Sequence, residues 1–133
     1  MRLIRNSGGD RVIDELRQCL QKESSLDIGS PAFSFFAFAE LRDLLVGLGK
    51  TRLALPSPEE SDWKLLGDET DRAFRNRLQT RWLAKQCSDW VSKKVEVKQA
   101  SGAIPQSTMV ARSEAGQPRR VITGTSSFTT SGL

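Results

Sequence analysis

The chain has 133 residues, 38% apolar and 27% charged, enough to close one hydrophobic core without a metal or a disulfide framework. Its 20 Lys+Arg against 16 Asp+Glu leave a formal charge of +4, a mild excess that suits an anionic partner, nucleic acid first among them. Histidine and tyrosine are both absent, which excludes imidazole acid–base chemistry, histidine metal ligands and histidine or tyrosine nucleophiles.

In chain order, residues 2–5 (RLIR) read as a short strand, followed by a turn at Asn6-Ser7-Gly8-Gly9. Asp10 is placed to cap a helix whose apolar positions Val12, Ile13, Leu16, Cys19 and Leu20 recur at three- and four-residue spacing. Leu26 to Gly29 reads as a strand, limited by Pro31. Phe33 to Leu48 carries Phe35, Phe36, Phe38, Leu41, Leu44, Leu45 and Leu48 and predicts a helix with a buried face, stopped near Gly47 and Gly49. Thr51 to Leu55 is a second strand, and a Pro-containing loop extends from Pro56 through Trp63 and Gly67.

The clearest helical pattern runs from about Glu69 to Lys93, with Phe74, Leu78, Trp82, Leu83, Cys87, Trp90 and Val91 on its apolar face. Arg77, Arg81 and Lys85 fall at i, i+4 and i+8 on another face and form a basic stripe that could follow a phosphate backbone. Val95 to Lys98 alternates as a strand does, Ser107 to Arg112 is another, and a hairpin-like loop from Ser113 to Pro118 leads into Arg120 to Thr123. Helices alternate with strands at first and strands dominate later. That order predicts a single domain over 1–133, built on a mixed sheet covered by helices.

The remaining features have plain explanations. Cys19 and Cys87 sit in helical patterns and are read as free thiols. Trp82 and Trp90 are expected in the core rather than stacked on bases. The carboxylates Glu59, Glu60 and Asp62, and Asp68, Glu69 and Asp71, fit a solvated loop and a helix start, so no metal site is expected. Gly49-Lys50-Thr51 lacks the first glycine of a phosphate loop, Leu44 standing there, so no nucleotide cofactor is expected. With no run of about 18 apolar residues and no signal-like N-terminus, a cytoplasmic chain is expected.

The last thirty residues carry a family resemblance. A strand, a loop and a second strand ending in Gly-Thr-Ser-Ser-Phe-Thr-Thr-Ser-Gly-Leu resemble the phospholipase D signature, H-x-K-x4-D followed by G-S-x-N. The histidine position falls on Gln106, the lysine position on Thr108 and the aspartate position on Ser113; Gly124 takes the glycine position, followed by Thr125, Ser126 and Ser127. Upstream, Leu26 to Ser34 is similar to the strand and loop that precede the first large helix of that family.

The resemblance implies a three-layer α/β/α sandwich with a mixed sheet, of the phospholipase D/nuclease-like type. It is nearest to the modules at the front of bacterial Snf-type helicases and restriction-associated proteins. It therefore implies an accessory module of a larger DNA-processing polypeptide, the chain stopping at Leu133 where relatives continue. DNA, helicase domains of the same polypeptide and a second copy are the implied partners, Phe35, Phe36 and Phe38 being available to a homodimer only if exposed. Because glutamine and threonine replace the nucleophile and the cationic clamp, catalysis is not expected. What the motif residues retain is polar donors that can hold a phosphate without cleaving it. The rival expectations are an atypical phosphodiesterase depending on Ser107 or Ser126, and a purely protein-binding module.

Overall fold

A computed structural model describes residues 1–57, 80–125, 127–129 and 132–133. The described elements are α1 (Val12–Cys19), β1 (Ser25–Gly29), α2 (Phe35–Gly47), β2 (Lys50–Leu55), α3 (Thr80–Lys94), β3 (Val95–Gln99), β4 (Ser107–Arg112) and β5 (Pro118–Gly124). The five strands form one mixed sheet in the order β3-β2-β1-β4-β5. β1, β2 and β3 run parallel, while β4 lies antiparallel to β1 and β5 antiparallel to β4. The expected small α/β domain with a mixed sheet is what is found.

The side-chain period of two decides the faces. Leu26 and Ile28 of β1, Leu53 and Leu55 of β2, and Met109 and Ala111 of β4 are buried in one cluster with Val12, Ile13 and Leu16 of α1, Phe38, Leu41 and Leu45 of α2, and Cys87 and Trp90 of α3. All three described helices therefore pack on the same face. Strand order explains this for α2 and α3. The chain steps from β1 to β2 to β3 in one direction across the sheet, and right-handed crossovers then return both helices to the same side. Among the described residues the arrangement has two layers, where three were expected, and no described helix covers the other face. Nor is any described helix long and apolar enough to cross a membrane.

Local chemistry accounts for the element ends. Ser34 caps α2, its hydroxyl accepting the Phe36 N–H at 3.1 Å. At the other end Lys94 donates Nζ to the Val46 and Leu48 carbonyls at 3.0 and 3.3 Å, satisfying acceptors the helix leaves open. Glu23 has φ 66°, and a Cβ on Gly49 would stand 3.0 Å from the Glu23 carbonyl oxygen. A Cβ at 49 would fit only if the Glu23 backbone gave way by a few tenths of an ångström. In the β4–β5 hairpin Ser113 N–H donates to the Gln117 carbonyl at 2.8 Å, and Gly116 takes φ 82° to close the turn.

Other expectations are corrected. Residues 2–5 form no strand. Arg2 and Arg5 are instead drawn to Asp10, which accepts from Arg2 Nη2 at 2.6 Å and from the Arg5 N–H at 3.1 Å. Those bonds also take Asp10 away from capping: Arg11 is the N-cap of α1, and Asn6 Oδ1 accepts the Val12 N–H at 3.3 Å. Trp82 is 51% exposed rather than in the core, with the Arg42 guanidinium 5.3 Å from its ring centre. Trp90 is buried as expected, its ring 5.0 Å from that of Phe38. Phe35, Phe36 and Phe38 are buried as well, which removes them as an exposed dimer surface. Cys19 and Cys87 are free, the first half-buried and the second buried; burial pushes the Cys87 thiol up to about 12. Trp63, Phe74, Leu78 and the start of the predicted long helix lie outside the described residues.

Candidate functional site

The two segments that carry the phospholipase D resemblance are about a hundred positions apart, and the fold brings them into contact. Ser30, with no solvent exposure, is the joint: its hydroxyl donates to the Ala32 carbonyl at 2.6 Å and accepts the Phe128 N–H at 2.9 Å. The Ser34 N–H donates to the Phe128 carbonyl at 2.9 Å. Phe33 and Phe128 form a parallel bridge, and their rings stack with centres 5.1 Å apart and planes 3° from parallel. Beyond this joint, the Leu133 carbonyl accepts the Ile13 N–H at 2.8 Å. The end of the chain is thereby tied to the first turns of both α1 and α2.

Around this seam the motif positions divide. Gln106 is exposed one residue before β4, and Thr108 sits within β4 opposite Gly29 on one side and Thr123 on the other. Ser107 pairs with Gly124, and Thr125 follows it, exposed. Gln106, Thr108, Gly124 and Thr125 thus share one end of the β4–β5 pair. Ser113 does not join them. It lies beyond the far end of β4, roughly 20 Å away at about 3.4 Å per residue, and its hydroxyl accepts the Gln117 N–H at 3.2 Å. Ser127 is half-buried, and Ser126 lies outside the described residues.

Ser107, one residue on which an atypical nuclease was expected to depend, points into the helix-covered side and is 3% exposed. Its hydroxyl donates to the Gly124 carbonyl at 3.4 Å. A hydroxyl so placed can support the hairpin but cannot meet a phosphodiester in solvent.

The chemistry that sequence patterns did not reveal lies on the face of the sheet that no described helix covers. Asp27 of β1 is gripped by two arginines from neighbouring strands. Arg52 of β2 donates Nε to Oδ1 at 2.7 Å and Nη2 to Oδ2 at 2.5 Å, a bidentate fork, and Arg112 of β4 donates Nε to Oδ2 at 2.8 Å. The Arg52 hydrogen bonds, with those from Arg112, hold the Asp27 carboxyl below its ordinary range. Next to this cluster Glu96 of β3 pairs with Lys50 at 3.3 Å and Lys98 at 3.7 Å; the Lys50 hydrogen bond draws its pKa down too. Asp27, Arg52, Glu96 and Lys98, with Thr108 and Val110, line an open depression of about 310 Å³. The signal was present as alternating charge, in Lys50/Arg52 and Glu96/Lys98, but only strand order makes neighbours of positions 27, 52 and 112.

The expected basic stripe is described in part. Arg81 and Lys85 of α3 are exposed on the helical side of the molecule, the next position of the same row being Asp89, and Arg77 lies outside the described residues.

No protein-family model, no curated protein and no solved structure matches the chain.

Proposed function

We propose that the chain is a non-catalytic phospholipase D-like module of a bacterial DNA-processing polypeptide, such as a helicase, and that it binds nucleic acid through its phosphates without cleaving them. The observation that carries this reading is the seam. The two stretches that resemble the family, Leu26 to Ser34 and Gly124 to Leu133, meet through Ser30, Ser34 and Phe128, as a shared ancestral site would require. The absence of any imidazole in the chain and the inward turn of Ser107 argue against turnover at that site. Helicase and ATP chemistry belong, on this reading, to other parts of the parent polypeptide.

The test is a paired measurement of retention and cleavage. Fluorescence anisotropy with a labelled oligonucleotide is expected to give binding that weakens steeply with salt, as counterion release demands. The same protein incubated with bis(p-nitrophenyl) phosphate is expected to release no nitrophenolate above the buffer blank. Hydrolysis above that blank, or the absence of binding at low salt, would count against the reading.

A further inference from the structure

The face of the sheet that no described helix covers carries, among the described residues, more positive than negative charge, and its positive groups form a row that crosses the strands. Lys98 stands on β3, Lys50 and Arg52 on β2, and Arg112 on β4, against the carboxylates Asp27 and Glu96. From β3 to β4 is three strand spacings, about 14 Å at roughly 4.8 Å each, a span long enough for several consecutive phosphates of one strand. The two carboxylates are spent within the row. Asp27 accepts from Arg52 Nε and Nη2 and from Arg112 Nε, while Arg112 Nη1 is given to the Gly116 carbonyl at 3.3 Å.

We propose that this face, centred on the depression lined by Asp27, Arg52, Glu96, Lys98 and Thr108 and made net positive by the adjoining Lys50 and Arg112, is where the chain holds a phosphodiester backbone, in preference to the basic row of α3. The inference rests on the nucleic-acid reading above and assigns its place. Three observations support it. The row is interrupted by no helix among the described residues, whereas the row on α3 runs into Asp89. Arg52 and Arg112, although both are hydrogen-bonded to Asp27, bring two charges against its one, and with Lys50 and Lys98 they leave this face with a surplus of cations for phosphate oxygens. Among the described residues the lining contains Ile28, Leu53, Ala54 and Val110 but no aromatic ring, so the bound strand is tracked by its charge and not stacked by its bases. Binding here is correspondingly indifferent to sequence.

The experiment compares two variants of equal charge change on opposite sides of the molecule, with a fluorescein-labelled oligothymidylate as probe at about 50 mM salt. Lys50→Gln/Lys98→Gln alters two well-exposed side chains on the sheet, and Arg81→Gln/Lys85→Gln alters two on α3; circular dichroism verifies that both fold. The sheet variant is expected to lose roughly tenfold in affinity and to reduce the salt slope by about 1 to 2, with the helix variant within about twofold of the parent. Glu96→Gln, which removes a competing carboxylate from the face, is expected to tighten binding, whereas Asp89→Asn on α3 leaves it unchanged. If the helix variant loses affinity and the sheet variant keeps it, the assignment of the face is overturned while the nucleic-acid reading stands. If the unaltered protein binds no oligothymidylate but does bind polyglutamate at the same charge concentration, both fall, and the face is a docking surface for acidic protein.

Discussion

On the helix-covered face of the sheet Leu26, Ile28, Leu53 and Met109 are at most 3% exposed, while their immediate chain neighbours Asp27, Arg52, Thr108 and Val110 on the other face all meet solvent. A single residue step separates the two environments, because successive side chains of a strand point to opposite faces. One face contributes free energy by removing apolar area from water, about 25 cal/mol per Å². The other contributes little to stability, since exposed ion pairs offset their Coulomb gain against side-chain ordering and screening. The cluster of Asp27, Arg52 and Arg112 with its neighbours Glu96, Lys50 and Lys98 is the surface to which the binding proposed above is assigned.

That contrast can be broken most forcefully from the covered side. Phe38 is fully buried between the helices and against Trp90, so Phe38→Ala is expected to cost about 3–5 kcal/mol, with a cavity left beneath α2. Chemical denaturation monitored by Trp fluorescence would measure it, and a cost below about 1 kcal/mol would deny that the two helices share one core. The seam comes next. Ser30→Ala strands the buried Phe128 N–H, and a loss of about 1–3 kcal/mol is expected. Hydrogen exchange at Phe128 should quicken in that variant while β1 keeps its protection, which separates an undocked tail from a weakened sheet.

The smallest effect belongs to the open face. Asp27→Asn is expected to change stability at neutral pH by less than about 1 kcal/mol, yet to alter its pH dependence. The Asp27 pKa is depressed in the folded chain by Arg52 and Arg112, so its contribution is complete above the ordinary carboxylate value of about 3.9. It is lost as pH falls through the lower folded value, because the unfolded chain takes up the proton first. The parent and the Asp27→Asn variant should therefore converge in stability below about pH 4. A gap that widened on acidification would show that the two arginines do not hold Asp27 as described.

Much of this molecule follows from local sequence. The apolar spacing of Val12, Ile13 and Leu16, the run of phenylalanines after Ser34, and the alternation in Val95 to Lys98 and Ser107 to Arg112 each dictate an element, since amphipathic period is a property of a few consecutive residues. The fates of Cys87 and Trp90 were legible for the same reason, and that the chain has no imidazole needs only a count. Residues 2–5 misled because their apolar centre suggested a strand, whereas Asp10 recruits both flanking arginines. Trp82 misled because it belongs to the helical period but stands at the margin of the packed face, where a ring over Arg42 satisfies it.

What tertiary structure alone decided is where distant residues meet. Nothing local to Ser30 announces Phe128, and nothing in the spacing of Asp27, Arg52 and Arg112 marks them as partners. Strand order sets those neighbours, and it is chosen by the burial of the apolar face as a whole. The side of the sheet on which the described helices pack follows in turn from the hand of the crossovers. Sequence by itself determined most of the elements and excluded imidazole chemistry, because both depend on local composition and period; the packing of those elements determined which charged side chains meet, because that depends on strand order.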